Sequence, residues 1–354
     1  MQWNDIYISG VGAFLPKTVS VEDAIAEGRY DEESASYTDH VSVTVAAPED
    51  NVADMAVAAA RQAAARAGAG PADVDAVFYS VVFHAGIDVW NAASYIQQGV
   101  SQAGSFAAEV RAGSNGGMVA LEVAASYLVA HPDAQTAVLT AGDLWSEPYF
   151  DRWRADRILY GDGAAAVALS RQGGFARLVS LANATDPSLE AMHRGKLPWG
   201  PAQFSAEQPI DLHRRHEEFL ETVADKDVVW QRVQAGARSV ADQALQEANV
   251  SLADIDHIVV PHFGRNLITK QCLEPMGGAD LERTTFQFAR QVGHLGPGDQ
   301  FAGLNHLSET GALTPGQRVF VFGVGGGFSW SGAVIEVLEP QQWGAGHDLT
   351  RREP

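Results

Sequence analysis

Two stretches of the chain recur at one fixed separation, and any fold must accommodate both copies. "ADVDAVFYS" at 72–80 returns as "ADIDHIVVP" at 253–261, placing Ala72 and Ala253 181 residues apart. "AVLTAGD", with Gly142, returns as "RVFVFGVG", with Gly323, again 181 residues on. Self-similarity at a constant offset marks a duplicated unit. Each copy reads as an Ala-rich helix (52–67, and about 231–247), an apolar run, a glycine-rich turn into a second helix, and a second apolar run. The runs Val77 to Phe83, Val138 to Thr140, Ile258 to Val260 and Val319 to Phe322 lack alternation, as strands covered on both faces require. The expected architecture is α/β, with two similar halves packed together, 1–171 and 172–354. The second half carries a polar insertion at about 183–225. Two unrelated α/β domains with a shared pattern are the alternative.

Composition narrows the function. A net charge of −20 repels a phosphate backbone, so no nucleic-acid partner is expected. The opening "MQWNDIYISGVGAFLP" carries Asp5 and no basic cluster, unlike a secretory signal, and no apolar run reaches spanning length. No membrane partner and a cytoplasmic address follow as expectations. The single cysteine, Cys272, excludes an internal disulfide and cysteine-rich metal sites, and no metal is expected.

The stretch "RAGSNGGMVALEVAASYLVAH" (111–131) delivers one hydroxyl, Ser114, at the start of a helix apolar nearly all round. Ser114 reads as a helix cap or as a nucleophile. A buried helix start at a junction of halves favours the nucleophile, because backbone N–H groups there stabilise charge on a reacting oxygen. Adding the offset to 114 reaches Leu295, one residue past His294, so Ser114 and His294 are expected to meet between the halves. A serine nucleophile needs a base. His294 has Asp299 five residues on, in a Gly/Pro-rich loop able to return the carboxylate to the imidazole. His262, in "IVVPHFGRN", follows an apolar strand directly and is the other candidate. His193, in the insertion, is assigned to an entry channel. His84 stands near the repeat-equivalent place to His262 and reads as pocket lining or as structural. The segment 83–97, with Trp90, is expected to line a pocket or a seam with a second copy. In "VFGVGGGFSWSGAVIEV" the glycines offer either an oxyanion donor or a purely steric turn, and the missing helix argues against a dinucleotide fingerprint.

These motifs, from "IYISGVGAFLP" through "AGSNGGMVALEVA", "YGDGAAAVAL" and "PHFGRN" to "GVGGGFSWSGA", resemble the ketoacyl-acyl-carrier-protein synthase III group of the thiolase superfamily. The resemblance implies a thiolase-like duplicated αβαβα five-layered fold and a homodimer. It places the family's catalytic cysteine at Ser114, its histidine at His262, its asparagine at His294 and its oxyanion-hole glycine at Gly326. Loss of the asparagine puts decarboxylative condensation in doubt, and a serine makes the acyl-enzyme an oxyester. The Ser, His and Asp set resembles the serine branch of antibiotic biosynthesis, with its daunorubicin-type starter-unit enzymes and related acyltransferases.

The expected activity is acyl transfer in polyketide or secondary metabolism. The acyl group passes from acyl-CoA or an acyl carrier protein onto Ser114, then to a carrier protein or small-molecule hydroxyl. His294 is the base, Asp299 orients it, Ser114 and Gly326 supply oxyanion N–H groups, and His262 assists the acceptor. His84, Trp90 and His193 are expected to contact substrate. No cofactor is expected beyond the coenzyme A or phosphopantetheine of the substrate itself. Either a local basic patch that includes Arg214, Arg215 and Arg265 docks the donor, or the donor is mainly coenzyme A. A starter-unit synthase condensing with a malonyl carrier protein, and a non-catalytic partner of an active homologue, are the alternatives.

Overall fold

The computed structural model describes residues 1–102 and 104–340. Strands β1 (Tyr7–Phe14), β4 (Ala76–Ser80), β5 (Phe106–Glu109), β6 (Thr136–Asp143) and β7 (Gly163–Ser170) come from the first half. Strands β8 (Ala176–Thr185), β9 (His257–Val259), β10 (Arg318–Gly325) and β11 (Ser329–Val337) come from the second. They join in one sheet of order β5-β4-β6-β7-β1-β8-β11-β10-β9, while β2 (Thr18–Ser20) and β3 (Ser42–Thr44) form a small separate pair.

The order displays the duplication. In the first half β4 runs parallel to β5 and β6, and β7 runs antiparallel to β6 and β1. In the second half β9 runs parallel to β10, and β11 runs antiparallel to β10 and β8. A parallel bridge between Ile258 and Thr284 stands where β5 stands in the first half. The first strands of the halves, β1 and β8, meet antiparallel at Tyr7 with Arg177 and Ile8 with Ala176. Antiparallel pairing of equivalent strands is what a local twofold axis produces.

Three cores separate the layers. Between the halves, Ile8, Phe78, Leu121 and Leu139 pack with Phe301, Leu304, Val321 and Ile335. The helices Gly116–Ala130 and Asp299–Glu309 occupy this middle layer, so both are buried over most of their length. Helix Val52–Arg66 covers the outer face of β1 and β7, and helix Lys226–Glu247 covers β8 and β11. The Ala-rich composition of the former now has a cause: Ala59 and Ala63 present backbone carbonyls where a side chain at Gly12 or Gly10 would collide. Small residues on both elements let helix and strand approach closely. The layered thiolase-like α/β fold expected from the sequence is thus present.

The insertion begins later than expected, because β8 continues to Thr185 and Asn183 and Ala184 pair with Ser331 and Trp330 of β11. Beyond it, short helices Ala191–Arg194 and Leu212–Leu220 pack against each other. Among the described residues no helix is long and apolar enough to cross a membrane.

Candidate active site

Ser114 sits at the junction of the halves, preceded by Gly113 and followed, beyond Asn115, by Gly116 and Gly117. Gly113 adopts a left-handed φ of 55°, which glycine tolerates without penalty. Side chains at Gly116 or Gly117 would strike Ser80 or the Pro297 carbonyl, so this glycine pair lets the helix start press against β4 and the opposite half. The Ser114 hydroxyl does not cap its helix. Its Oγ lies 2.8 Å from Nε2 of His294.

His294 is pinned through its backbone to the first half, its N–H donating to Leu159 O at 2.9 Å and its carbonyl accepting from Gly161 at 3.0 Å. On the far side of its ring, Nδ1 lies 2.5 Å from Asp299 Oδ2. Asp299 also accepts backbone N–H groups from His262 (Oδ2, 2.7 Å) and Leu295 (Oδ1, 2.7 Å) and is wholly buried. The carboxylate accepts only, so Nδ1 carries the proton and Nε2 is free to accept from Ser114. Burial alone would raise the Asp299 carboxyl, but the charges of His294 and His262 and the hydrogen bonds hold it below its ordinary range.

Two cavities, about 310 and 570 Å³, meet here, and Ser114, Tyr160, His193 and Gly326 border both. The larger is walled by Phe83, Trp145, Phe150 and Phe204. Its shape depends on two buried carboxylates. Asp143 accepts the N–H groups of Val82 and Phe83. Asp162 accepts that of Trp145 and pairs with Arg152 through two hydrogen bonds of 3.0 and 2.8 Å. The smaller cavity carries Ile158, Trp230 and Phe263 on its walls, with Arg157 and Lys226 also bordering it.

Other expected site residues lie elsewhere. His262 is fully buried, with Nδ1 3.1 Å from Gly293 O and Nε2 unpartnered, and it borders neither cavity. Its backbone N–H donates to Asp299, and its Nδ1 lies 3.5 Å from Asp299 Oδ1. The strand-end placement that suggested access leads into the interior. His84 turns to Asp88, at 3.1 Å, and Trp90 packs on Tyr95 at 5.5 Å between ring centroids. Neither borders the Ser114 cavities; Val82 and Phe83, fixed by Asp143, do so instead. The basic patch is neutralised: Arg214 and Arg215 pair with Glu207, and Arg265 pairs with Asp39. Tyr160, which opens the "YGDG" motif, borders both cavities, and Trp145 and Phe204 on the larger one carry no local signal in the sequence. Among the described residues no group of three or more His, Cys, Asp or Glu is placed to hold a metal.

This geometry separates the histidines experimentally. His294→Gln is expected to slow acylation of Ser114 by at least about 10⁴-fold, whereas His262→Gln slows it by less than about tenfold, read by single-turnover intact mass. His40, beside His262, is also buried, and burial lowers its imidazole to about 4. A lowered histidine contributes stability that is present above about pH 6.5 and lost as pH falls towards 4. For His40 that is about 3 kcal/mol. Urea unfolding of His40→Gln should therefore show a flatter stability profile between pH 6.5 and 4 than the parent protein.

With the fold and site defined, comparison places them. Residues 108–187 match the family model for 3-oxoacyl-[acyl-carrier-protein (ACP)] synthase III, and residues 245–337 match that for its C-terminal part. The chain belongs to the 3-oxoacyl-[acyl-carrier-protein] synthase III family and is a transferase. It is similar to the solved structure of ChlB3, described as an acyltransferase, with 35% identity, TM-score 0.88, and coverage of 96% of this chain and 99% of that one. A β-ketoacyl-[acyl-carrier-protein] synthase III of Clostridium beijerinckii is 24% identical, covering 94% of this chain and 99% of the relative. The 3-oxoacyl-(acyl carrier protein) synthase III of Pseudomonas aeruginosa shares the fold at 20% identity, TM-score 0.75, covering 95% and 99%.

Proposed function

We propose that the protein is a ping-pong acyltransferase of polyketide or related secondary metabolism, with Ser114 as nucleophile. The observation that carries this reading is the hydrogen-bonded line Ser114–His294–Asp299 at the meeting point of two cavities. Ser114 Oγ attacks the carbonyl of an acyl thioester while its proton passes to His294 Nε2. The oxyanion is held by the N–H groups of Ser114 and Gly326. The C–S bond breaks and the thiol leaves with the proton from His294. An acceptor hydroxyl or thiol then gives its proton to His294, attacks the oxyester, and Ser114 departs reprotonated.

The aromatic cavity takes the acyl group. The smaller one takes the coenzyme A or carrier-protein arm, because Arg157 and Lys226 on its border suit a phosphate. His294 here serves Ser114 as base, leaving no asparagine amide for the enolate of a decarboxylating malonyl thioester. The expected homodimer belongs to this reading: β5 is a sheet edge, and its Phe106, 44% exposed, stacks on Tyr127.

The test is intact-protein mass spectrometry with a panel of acyl thioesters. A mass gain, followed by its loss to a carrier protein or alcohol without CO2 release, supports acyl transfer. CO2 release with a β-ketoacyl product establishes condensation instead. A protein never acylated by itself, but copurifying with a cysteine-bearing homologue, would be the non-catalytic partner.

A further inference from the structure

His193 has no assigned chemistry, yet it occupies the centre of the site. Its ring borders both cavities, and neither ring nitrogen has a protein hydrogen-bond partner among the described residues. It lies over Gly326 so closely that any side chain at 326 would collide with Nδ1. A group passing between the cavities must pass Ser114 and His193 together, because these two and Tyr160 and Gly326 are the shared border. His193 is exposed, and its ring opens to both cavities. An imidazole with two free nitrogens at such a place can donate to a group held between the cavities.

We propose that His193 is a further catalytic residue, a neutral imidazole whose N–H donates to the oxygen of the tetrahedral intermediate beside the backbone N–H of Gly326. This rests on the acyl-transfer reading above. Proton balance requires only a hydrogen bond: the carbonyl oxygen gains charge as Ser114 Oγ bonds to carbon, His193 shares its proton without losing it, and the oxygen returns to a carbonyl when the C–S bond breaks. His193 must stay uncharged for this. Desolvation by the surrounding protein lowers its imidazole, and the charges of His216, Arg215 and His294 reinforce that, with Asp156 opposing. The arrangement divides the labour: His294, bonded to Asp299, takes the proton, while His193, with no carboxylate partner, cannot compete for it. A neutral histidine used as an electrophile beside a separate base is established enzyme chemistry.

The experiment is single-turnover acylation of the full-length protein by an acyl thioester, followed by intact mass, for the wild type, His193→Ala and His193→Gln. Loss of one oxyanion donor slows the step by about 10²-fold. His193→Ala is expected to show that loss, and His193→Gln, which restores an N–H, to recover at least about tenfold of it, with the pH profile of the step unchanged in form. An alanine variant within about threefold of the wild type, or a glutamine variant no faster than alanine, overturns the proposal. Wild type that never acquires an acyl group overturns the acyl-transfer reading and this proposal together. Wild type that acylates while the His193 variants keep pace overturns the proposal alone.

Discussion

Ser114→Ala is expected to form no covalent acyl adduct and to lose at least about 10⁴-fold in turnover, with the folded structure intact. The chemical and structural effects separate because Ser114 contributes one hydrogen bond, to His294, at the border of open cavities. Losing such a bond costs about 1 kcal/mol, and water in the cavity can replace the hydroxyl at Nε2. The helix start is untouched, since its cap residue Asn115 makes no side-chain cap hydrogen bond and Ser114 makes none to the helix. The mass assay is clean for a further reason. The one cysteine, Cys272, is fully buried and burial raises its thiol well above the ordinary range, so it offers no competing thiolate. Full adduct formation in the alanine variant would place the nucleophile elsewhere and remove the acyltransferase assignment from this site.

Asp299→Asn is expected to damage both chemistry and stability, through the same atoms. The carboxylate accepts from His294 Nδ1 and from the backbones of His262 and Leu295. An amide can present one oxygen, so a buried N–H loses its acceptor and the Nδ2 group faces a donor. That costs about 1–3 kcal/mol for each unsatisfied group. The His294 tautomer also reverses, because an amide donor at Nδ1 leaves the proton on Nε2, where it cannot accept from Ser114. A loss of about 10⁴-fold in turnover follows from that reversal. The pH dependence has a definite sign. Asp299 is lowered on folding, so its contribution is present above the ordinary carboxyl value of about 4 and is lost as pH falls further. Unfolding of Asp299→Asn should lack that acid slope. A variant with parent-like turnover would show that His294 needs no orienting carboxylate.

The hydrogen-bonded line Ser114–His294–Asp299 was legible in the sequence because the repeat offset and a short loop converge on it. The 181-residue offset placed Ser114 beside His294, and five residues with a Gly-Pro-Gly turn brought Asp299 back to the imidazole. Both relations are local or repeat-derived, so no knowledge of side-chain direction was needed. His262 shows where such reasoning stops. It matched a family position at a strand end, and side-chain direction, which spacing does not give, sets its Nδ1 3.1 Å from Gly293 O, away from both cavities. His84 turns to Asp88, one residue beyond Phe83, which borders the larger cavity.

The cavity walls are tertiary in origin. Phe83, Trp145, Phe150 and Phe204 come from separate segments and carry no spacing rule, and Phe204 reaches them only because the insertion folds back over the first half. Charge behaved likewise: Arg214, Arg215 and Arg265 formed a basic surface in composition alone, and Glu207 and Asp39, distant or unremarked in sequence, neutralise it. The sequence by itself determined the duplication, the layered α/β architecture and the residue types on the axis between the halves, because repeats and apolar runs follow from backbone geometry. The tertiary structure alone decided which histidines border the cavities, what shapes each cavity and which charges are paired, because these depend on the directions of side chains brought together from distant segments.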